Sequence, residues 1–365
     1  SNDEMEGVLG MVDQLPSRTR RIILRNNRIK NRHYAIDPAT GKTTHTNAQL
    51  TAEAIRRLRP WPDFTPDEIE CLCCGTSSPD QLMPGHASMV HGELKGKPCE
   101  VMSAAGICTS GMISMKYAWM SVASGQSRTA VASGSELAST FLRSSLCGSA
   151  NPQRAAQIED QPAIAFEADF LRWMLSDGAG AAFLSDQPRD SGLSLRIDWI
   201  DLLSFANEME PCMYAGADKM EDGTLRGWRE QPSLEQALED RTFLVKQDVK
   251  LLNREILTAS VERTLPTLIA KHQLDPDAID WFLPHYSSDY FRSGVHDHMV
   301  NIGFDIPFDR WFTNLTEKGN TGSASSYIIL EELLHSGRLK RGDKLLCFIP
   351  ESGRFSICYM QLTVA

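Results

Sequence analysis

The sequence predicts an α/β fold, and three observations predict it. Residues 69–74, 99–102, 128–132 and 180–184 are short apolar runs that read as strands, and helical patterns separate most of them. The same alternation resumes beyond the polar stretch Gln187-Pro-Arg-Asp-Ser-Gly192, which reads as a linker. Alternation of this kind favours a largely parallel sheet covered by helices on both faces. The linker divides the chain into two units, residues 1–189 and 190–365.

In chain order, residues 4–15 and 47–59 read as helices. The second carries Leu50, Ala54, Ile55 and Leu58 on one face, and Pro60 ends it. After the strand at 99–102, Met112, Met115, Trp119 and Val122 recur at helical spacing. The second unit predicts a strand at 193–203, a helix at 246–272 and a strand at 279–283. A helix at 327–334 and strands at 344–349 and 355–363 complete it. Residues 207–235 are polar and rich in Gly, Met and Pro, a length of loop that is usually functional or mobile. No internal sequence repeat is visible.

A chain of 365 residues buries a substantial core. No apolar run is long enough to span a membrane, and no basic-then-hydrophobic leader opens the sequence. With nine cysteines, an odd number, the expectation is reduced thiols in the cytoplasm. The net charge of −10 disfavours nucleic acid as the main partner. Against that balance, Arg18, Arg20, Arg21, Arg25, Arg28, Lys30 and Arg32 share one stretch without an acidic residue. Such a cluster is either a solvated face or a landing site for an acidic or phosphorylated partner.

The chemistry is concentrated in Ser103-Ala-Ala-Gly-Ile-Cys108-Thr-Ser-Gly111, which places one cysteine between a strand and a long helix. An ordinary thiol is only about 3% thiolate at pH 7. A helix N-terminus, with unpaired N–H groups and the positive end of the dipole, favours the anion, so a reactive thiolate is expected here. A buried structural cysteine is the competing reading. Two downstream segments weigh against it. Leu283-Pro-His285-Tyr-Ser-Ser-Asp-Tyr-Phe-Arg292 follows an apolar strand, and Lys318-Gly-Asn320-Thr-Gly-Ser-Ala-Ser-Ser326 runs into a helix.

Cys, His and Asn in that order resemble the catalytic set of the β-ketoacyl-ACP synthase III family, in the thiolase superfamily. Three more segments are similar to that family. They are Arg28-Ile-Lys-Asn-Arg-His33, Ser176-Asp-Gly-Ala-Gly-Ala-Ala-Phe-Leu184, and the C-terminal run from Gly337-Arg-Leu-Lys-Arg-Gly-Asp343 to Glu351-Ser-Gly-Arg-Phe355. The likeness runs from about residue 20 to the C-terminus.

The resemblance implies a thiolase-like fold of two similar halves in a five-layered αβαβα arrangement. The nucleophile belongs to the first half, His and Asn to the second, and the protein is expected to be a homodimer. It further implies that Cys108 takes an acyl group from a thioester and that the backbone N–H groups of Cys108 and Gly353 hold the oxyanion. His285 and Asn320 would stabilise an enolate formed from a malonyl or β-ketoacyl thioester. No metal and no bound cofactor are implied; the substrates would be coenzyme A or phosphopantetheine thioesters, including those of acyl carrier protein. Arg21, Arg25 and Arg28 would receive the carrier or CoA. Residues 207–235 would lie near the acyl pocket.

The chain departs from the family pattern in three places. Cys108-Thr-Ser-Gly111 has one residue more than the usual Cys-x-Gly, and Ser352-Gly353-Arg354 replaces a glycine triplet. These two fit a specialised relative, such as a ketosynthase joining two β-ketoacyl units into a ring. The chain also opens almost in the family's first helix. Either the sequence starts after the strand that precedes that helix, which is the expectation here, or the first sheet is one strand short. Two other functions stay open: an acyltransferase on the same fold that makes no carbon–carbon bond, and a non-catalytic carrier-docking subunit.

Other candidates read as structural. Cys71-Leu-Cys-Cys74 lies in an apolar strand without zinc-site spacing. His296 and His298 diverge on a helix. Ser133-Gly-Ser-Glu136 follows a strand, where it lines the cleft, lines a dimer interface or is simply structural. His86 and His91 fall in a Gly-rich loop. No phosphate-binding Gly-rich loop with lysine is present.

Overall fold

The computed structural model describes residues 1–147 and 170–365. Its two four-stranded sheets fall on either side of the predicted linker. The first has the order β2-β1-β3-β4, with β1 Cys71–Thr76, β2 Glu100–Ala105, β3 Thr129–Glu136 and β4 Gly178–Ser185. β1 is parallel to β2 and β3, and β4 runs antiparallel to β3. The second has the order β10-β11-β12-β5, with β5 Leu195–Ser204, β10 Trp281–Pro284, β11 Lys344–Glu351 and β12 Ser356–Val364. Here β10 and β11 are parallel, while β12 is antiparallel to both its neighbours.

Alternate side chains of a strand point to opposite faces, and that period sorts the core into layers. Cys71 and Cys73 join Leu345, Cys347, Ile349, Cys358 and Met360 in one cluster around the helices Ser110–Ala123 and Ser325–His335. These helices form a central layer between the sheets. Leu72 and Cys74 point the other way, onto the helices Asn47–Arg56 and His86–Leu94. Leu346, Phe348, Ile357 and Tyr359 pack on the opposite outer layer, built from helices between Val249 and Asn301. The result is the expected five-layered αβαβα arrangement. Both faces of β1, β3, β11 and β12 are covered, which is why those strands read as continuous apolar runs, whereas the edge strand β2 exposes alternate residues.

The central layer is tight enough to forbid side chains at several positions. The Ser323 carbonyl oxygen lies 2.1 Å from where a Cβ on Gly134 would sit and 2.2 Å from one on Gly111. A Cβ on Gly180 would meet Tyr327 Cβ at 2.4 Å. Tyr327 donates to Gly111 O at 2.7 Å, and Ser323 Oγ donates to Ser135 O at 2.9 Å. The turn that starts the helix Ser325–His335 is thus seated directly on the backbone of the first half.

Some elements differ from expectation. The helix at 246–272 is three pieces: Val249–Leu257, a π-helical turn Thr258–Arg263, and Leu265–His272. Lys246 and Gln247, expected as its first residues, instead pair as β9 with β6, Met213–Tyr214, and Asp248 caps the helix at Leu251 N. Residues 207–235 are partly ordered, adding the hairpin of β7 Ala217–Lys219 and β8 Leu225–Gly227. The first helix covers only Met5–Leu9. His86 and His91 lie in the helix His86–Leu94, not in a loop. The segment Ser133–Glu136 is the second half of β3, not a tail after it. Eight described cysteines are free thiols, and among the described residues there is no metal-binding cluster and no helix able to cross a membrane.

Gly134→Ala is expected to lower stability by about 1–3 kcal/mol or more, because a backbone carbonyl cannot move aside as a side chain can. Chemical denaturation checks this, and a neutral substitution would contradict the packing described. His86 is buried with Nε2 near Ser135 Oγ (3.2 Å) and Thr51 Oγ1 (3.3 Å), and burial lowers its pKa to about 4. The fold therefore holds it neutral. Its stabilisation is complete above the ordinary histidine pKa near 6.5 and is lost as pH falls toward about 4, where the unfolded chain takes a proton the folded chain refuses. The unfolding midpoint should fall over that window, and more shallowly in His86→Gln; identical slopes would contradict this origin.

Candidate active site

Three chain segments converge on one cavity of ≈ 340 Å³ whose wall includes Cys108, His285 and Asn320. Strand β2 ends at Ala105, and Gly106 and Ile107 carry the chain to Cys108 just before the helix Ser110–Ala123. His285 follows β10 and extends its pairing, its N–H donating to Phe348 O at 2.8 Å. Asn320 follows Gly319, whose φ of +74° lets the chain turn back into the protein. Asn320 N–H donates to Met174 O at 3.0 Å, and its carbonyl accepts from Ser176 N–H at 2.8 Å.

The orientation of Asn320 is fixed by its own turn. Its Oδ1 accepts from Gly322 N–H at 2.9 Å, which leaves Nδ2 as the donor end; among the described residues Nδ2 donates to none. His285 is buried, and burial lowers its pKa to about 4, so it is a neutral imidazole at physiological pH. Two neutral donors therefore share the cavity with the thiol.

The expected thiolate is not what the surroundings favour. Burial, then the negative charges of Glu351 and Glu136, push the Cys108 thiol well above its ordinary value. The thiol opens onto the cavity and keeps some accessible surface, yet it is enclosed by protein. The helix-end field expected to favour the anion is answered by Glu351, whose Oε2 accepts from Ile107 N–H at 3.0 Å and Thr109 N–H at 2.9 Å. Among the described residues, the N–H of Cys108 between them bonds to no other residue and faces its own sulfur.

Glu136, at the end of β3, also lines the cavity. It accepts from Ser77 N–H (3.2 Å), Ser77 Oγ (2.6 Å), Ser78 Oγ (2.9 Å) and Ser323 N–H (3.2 Å). Burial raises its pKa. It ties the Asn320 turn to the first half. The sequence offered the segment ending at Glu136 a place along the cleft, which Glu136 occupies, but gave Glu351 no role of its own. The only available signal was a lone carboxylate at the polar end of an apolar strand.

Ser352 lines the cavity, and Gly353 beside it packs on Ile107: a Cβ there would lie 2.9 Å from Ile107 Cδ1. Gly353 carbonyl accepts from Cys212 N–H at 2.8 Å. Arg354 points away from the reacting groups, its Nε donating to Met209 O at 2.8 Å. Met213, Tyr214 and Ala215, from the segment 207–235, line the cavity, and so do Val245 and Gln247 beyond it.

The basic stretch is divided. Arg21 and Arg25 are exposed on the helix Arg20–Asn27, and Arg28 pairs with Asp289 (3.2 Å) below the His285 turn. Lys30 reaches Glu317 (3.7 Å) just before the Asn320 turn. Arg32 and Arg20, counted in the same cluster, are held internally. Arg32 is buried against Trp173 O, and Arg20 pairs with Asp3 and Glu6. His296 and His298 face Asp305 and Glu262 separately, as diverging side chains should.

Residues 269–349, which include His285 and Asn320, match the family described as 3-oxoacyl-[acyl-carrier-protein] synthase III, C terminal. A beta-ketoacyl-[acyl-carrier-protein] synthase III of Clostridium perfringens is 22% identical over 321 residues, 87% of this chain and 83% of that protein. One of Xanthomonas oryzae pv. oryzae is 24% identical over 349 residues, covering 95% and 88%. Among solved structures, AbyA1, a tetronic acid condensing enzyme, superposes with a TM-score of 0.74 at 20% identity, covering 99% of this chain and 95% of that one. Motifs, fold and relatives agree: the chain is similar to the beta-ketoacyl-[acyl-carrier-protein] synthase III family over most of its length, matches that family's C-terminal region, and has its thiolase-like architecture.

Proposed function

We propose that this protein is a condensing enzyme that loads an acyl group on Cys108 and joins it to a second thioester by a decarboxylating Claisen condensation. The observation that carries this reading is the single cavity shared by a thiol, a neutral imidazole and an amide donor. Apolar side chains, among them Leu171, Met174, Met213, Val245, Leu252 and Phe291, line the rest of it and suit an acyl chain.

In the first half-reaction the Cys108 sulfur attacks the thioester carbonyl. A sulfur–carbon bond forms, the carrier's carbon–sulfur bond breaks, and the proton lost by Cys108 leaves with the carrier thiol. The Cys108 N–H, which bonds to no other described residue, suits the oxyanion, with Gly353 N–H as the second donor. One such donor is typically worth about 10²–10³ in rate. In the second half-reaction a malonyl thioester loses CO₂, or a β-ketoacyl thioester loses its α-proton to solvent, and either becomes an enolate whose oxygen is held by His285 and by Asn320 Nδ2. Neutral donors suit this work, since a fixed positive charge would overstabilise the carboxylate before it leaves. The enolate carbon then attacks the acyl carbonyl, a carbon–carbon bond forms, and Cys108 is released.

The enolate-holding pair supports condensation over simple acyl transfer, and the cysteine supports catalysis over a docking role. Coenzyme A or acyl carrier protein would approach over Arg21, Arg25 and Arg28, beside the two turns that carry His285 and Asn320. The protein is proposed to act as a homodimer. The likeness to AbyA1 and the altered Ser352-Gly353-Arg354 turn support a role in specialised metabolism rather than bulk fatty-acid synthesis.

His285→Ala and Asn320→Ala are each expected to leave acylation of Cys108 intact while lowering condensation by about 10² or more. Adduct mass and ketoacyl product, measured on the same samples, separate the two steps. Loss of acylation in both variants would overturn this division of roles.

A further inference from the structure

Glu351 ends β11 beneath the nucleophile, and its position has no counterpart in the chemistry described so far. Its Oε2 receives Ile107 N–H, Thr109 N–H and the Thr109 hydroxyl. That oxygen is saturated by three donors, and its acidic side chain sits at the start of the helix Ser110–Ala123, where it helps push the Cys108 thiol up. The two amides on either side of Cys108 are both engaged, and the amide of Cys108 is the one left over. The other oxygen, Oε1, lies 3.2 Å from where a Cβ on Gly353 would sit, so the same carboxylate borders the second proposed oxyanion donor. Any side chain at residue 353 would press on it.

We propose that Glu351 is a positioning residue: it clamps the nucleophile turn so that the Cys108 N–H is presented to the cavity, and it cancels the positive end of the helix beneath the thiol. The proposal rests on the reading of Cys108 as the acyl acceptor.

The charged and titratable groups around Cys108 are Glu351 from β11 and Glu136 from β3, with His285 at the end of β10, Tyr286 beside it and Tyr214 from β6 lining the same cavity. Two are carboxyl groups, and burial holds His285 neutral. No lysine or arginine lines the cavity among the described residues. Nothing opposes the two carboxylates, so the resting sulfur keeps its proton and gives it up only when a thioester is in place to accept the attack. A thiol kept in this form is also slow to react with adventitious electrophiles.

Glu351→Gln retains an oxygen acceptor and removes the charge, whereas Glu351→Ala removes both. Iodoacetamide labelling of Cys108, followed by peptide mass spectrometry across neutral to alkaline pH, reads the thiol without any thioester. In Glu351→Gln the labelling midpoint should fall by about one pH unit, giving about tenfold faster labelling at neutral pH. An unchanged or raised midpoint overturns the electrostatic half of the proposal. For the clamp, Glu351→Ala should acylate about tenfold more slowly than Glu351→Gln; equal rates overturn it. Should Glu351→Ala not fold, Thr109→Val, which removes one of the three donors, is expected to slow acylation several-fold, and a wild-type rate contradicts the clamp. Failure of the wild-type enzyme to form any Cys108 adduct would instead sink the reading of the site, while the labelling result would still stand.

Discussion

The site depends on one close approach, the seating of the Ser323 carbonyl against the backbone of Gly111 and Gly134. Asn320 belongs to the second half and Cys108 to the first. They share a cavity only because the turn between Asn320 and the helix Ser325–His335 lies directly on β3 and on the nucleophile helix. Hydrogen bonds from Ser323 to Ser135 O and from Tyr327 to Gly111 O lock the contact. Glu136 adds a charged acceptor for Ser323 N–H from the same strand end. Buried polar groups matched this fully fix one arrangement, because any displacement leaves donors or acceptors unpaired away from water.

On this scaffold the electrostatics divide between neutral donors and buried carboxylates. His285 and Asn320 offer hydrogen bonds without charge, which suits the proposed enolate, a species that would form late and briefly. Glu136 and Glu351 hold backbone turns by accepting several donors each. Their cost is a local field that disfavours the Cys108 anion. The helix N-terminus therefore does a different job from the one its position alone suggests. Its amides organise a turn, and the amide spared is the one proposed to hold an oxyanion.

Much of this was legible in the sequence. Apolar runs located every main strand within a few residues, and the pattern Cys108, His285, Asn320 identified three groups that the structure brings to one cavity. Apolar patterning fails where strands end in polar residues. β3 continues through Ser133-Gly-Ser-Glu136 and β11 through Glu351, because those polar atoms find partners across the interface between halves, which no local pattern reports. The same blindness hid the contacts of both carboxylates, although Glu136 was placed in a segment that could line the cleft, and led to the expectation of a stabilised thiolate. The helix expected over 246–272 misled for another reason: its periodicity is real, but tertiary pairing of Lys246 and Gln247 with Met213 and Tyr214 takes its first residues, and a π-helical turn interrupts it. Arg20 and Arg32 read as part of a basic surface, although long cationic side chains can equally turn inward to carbonyls and carboxylates.

The central claim is that Cys108 accepts an acyl group and surrenders it to a carbon nucleophile. Intact-protein mass spectrometry after incubation with a panel of acyl-CoA and acyl-carrier thioesters, and then with a malonyl donor, tests it most directly. The account predicts an acyl mass gain that is absent in Cys108→Ala, and its disappearance on adding the malonyl donor with release of a ketoacyl product. No adduct from any thioester, or an adduct that persists in Cys108→Ala, would contradict it.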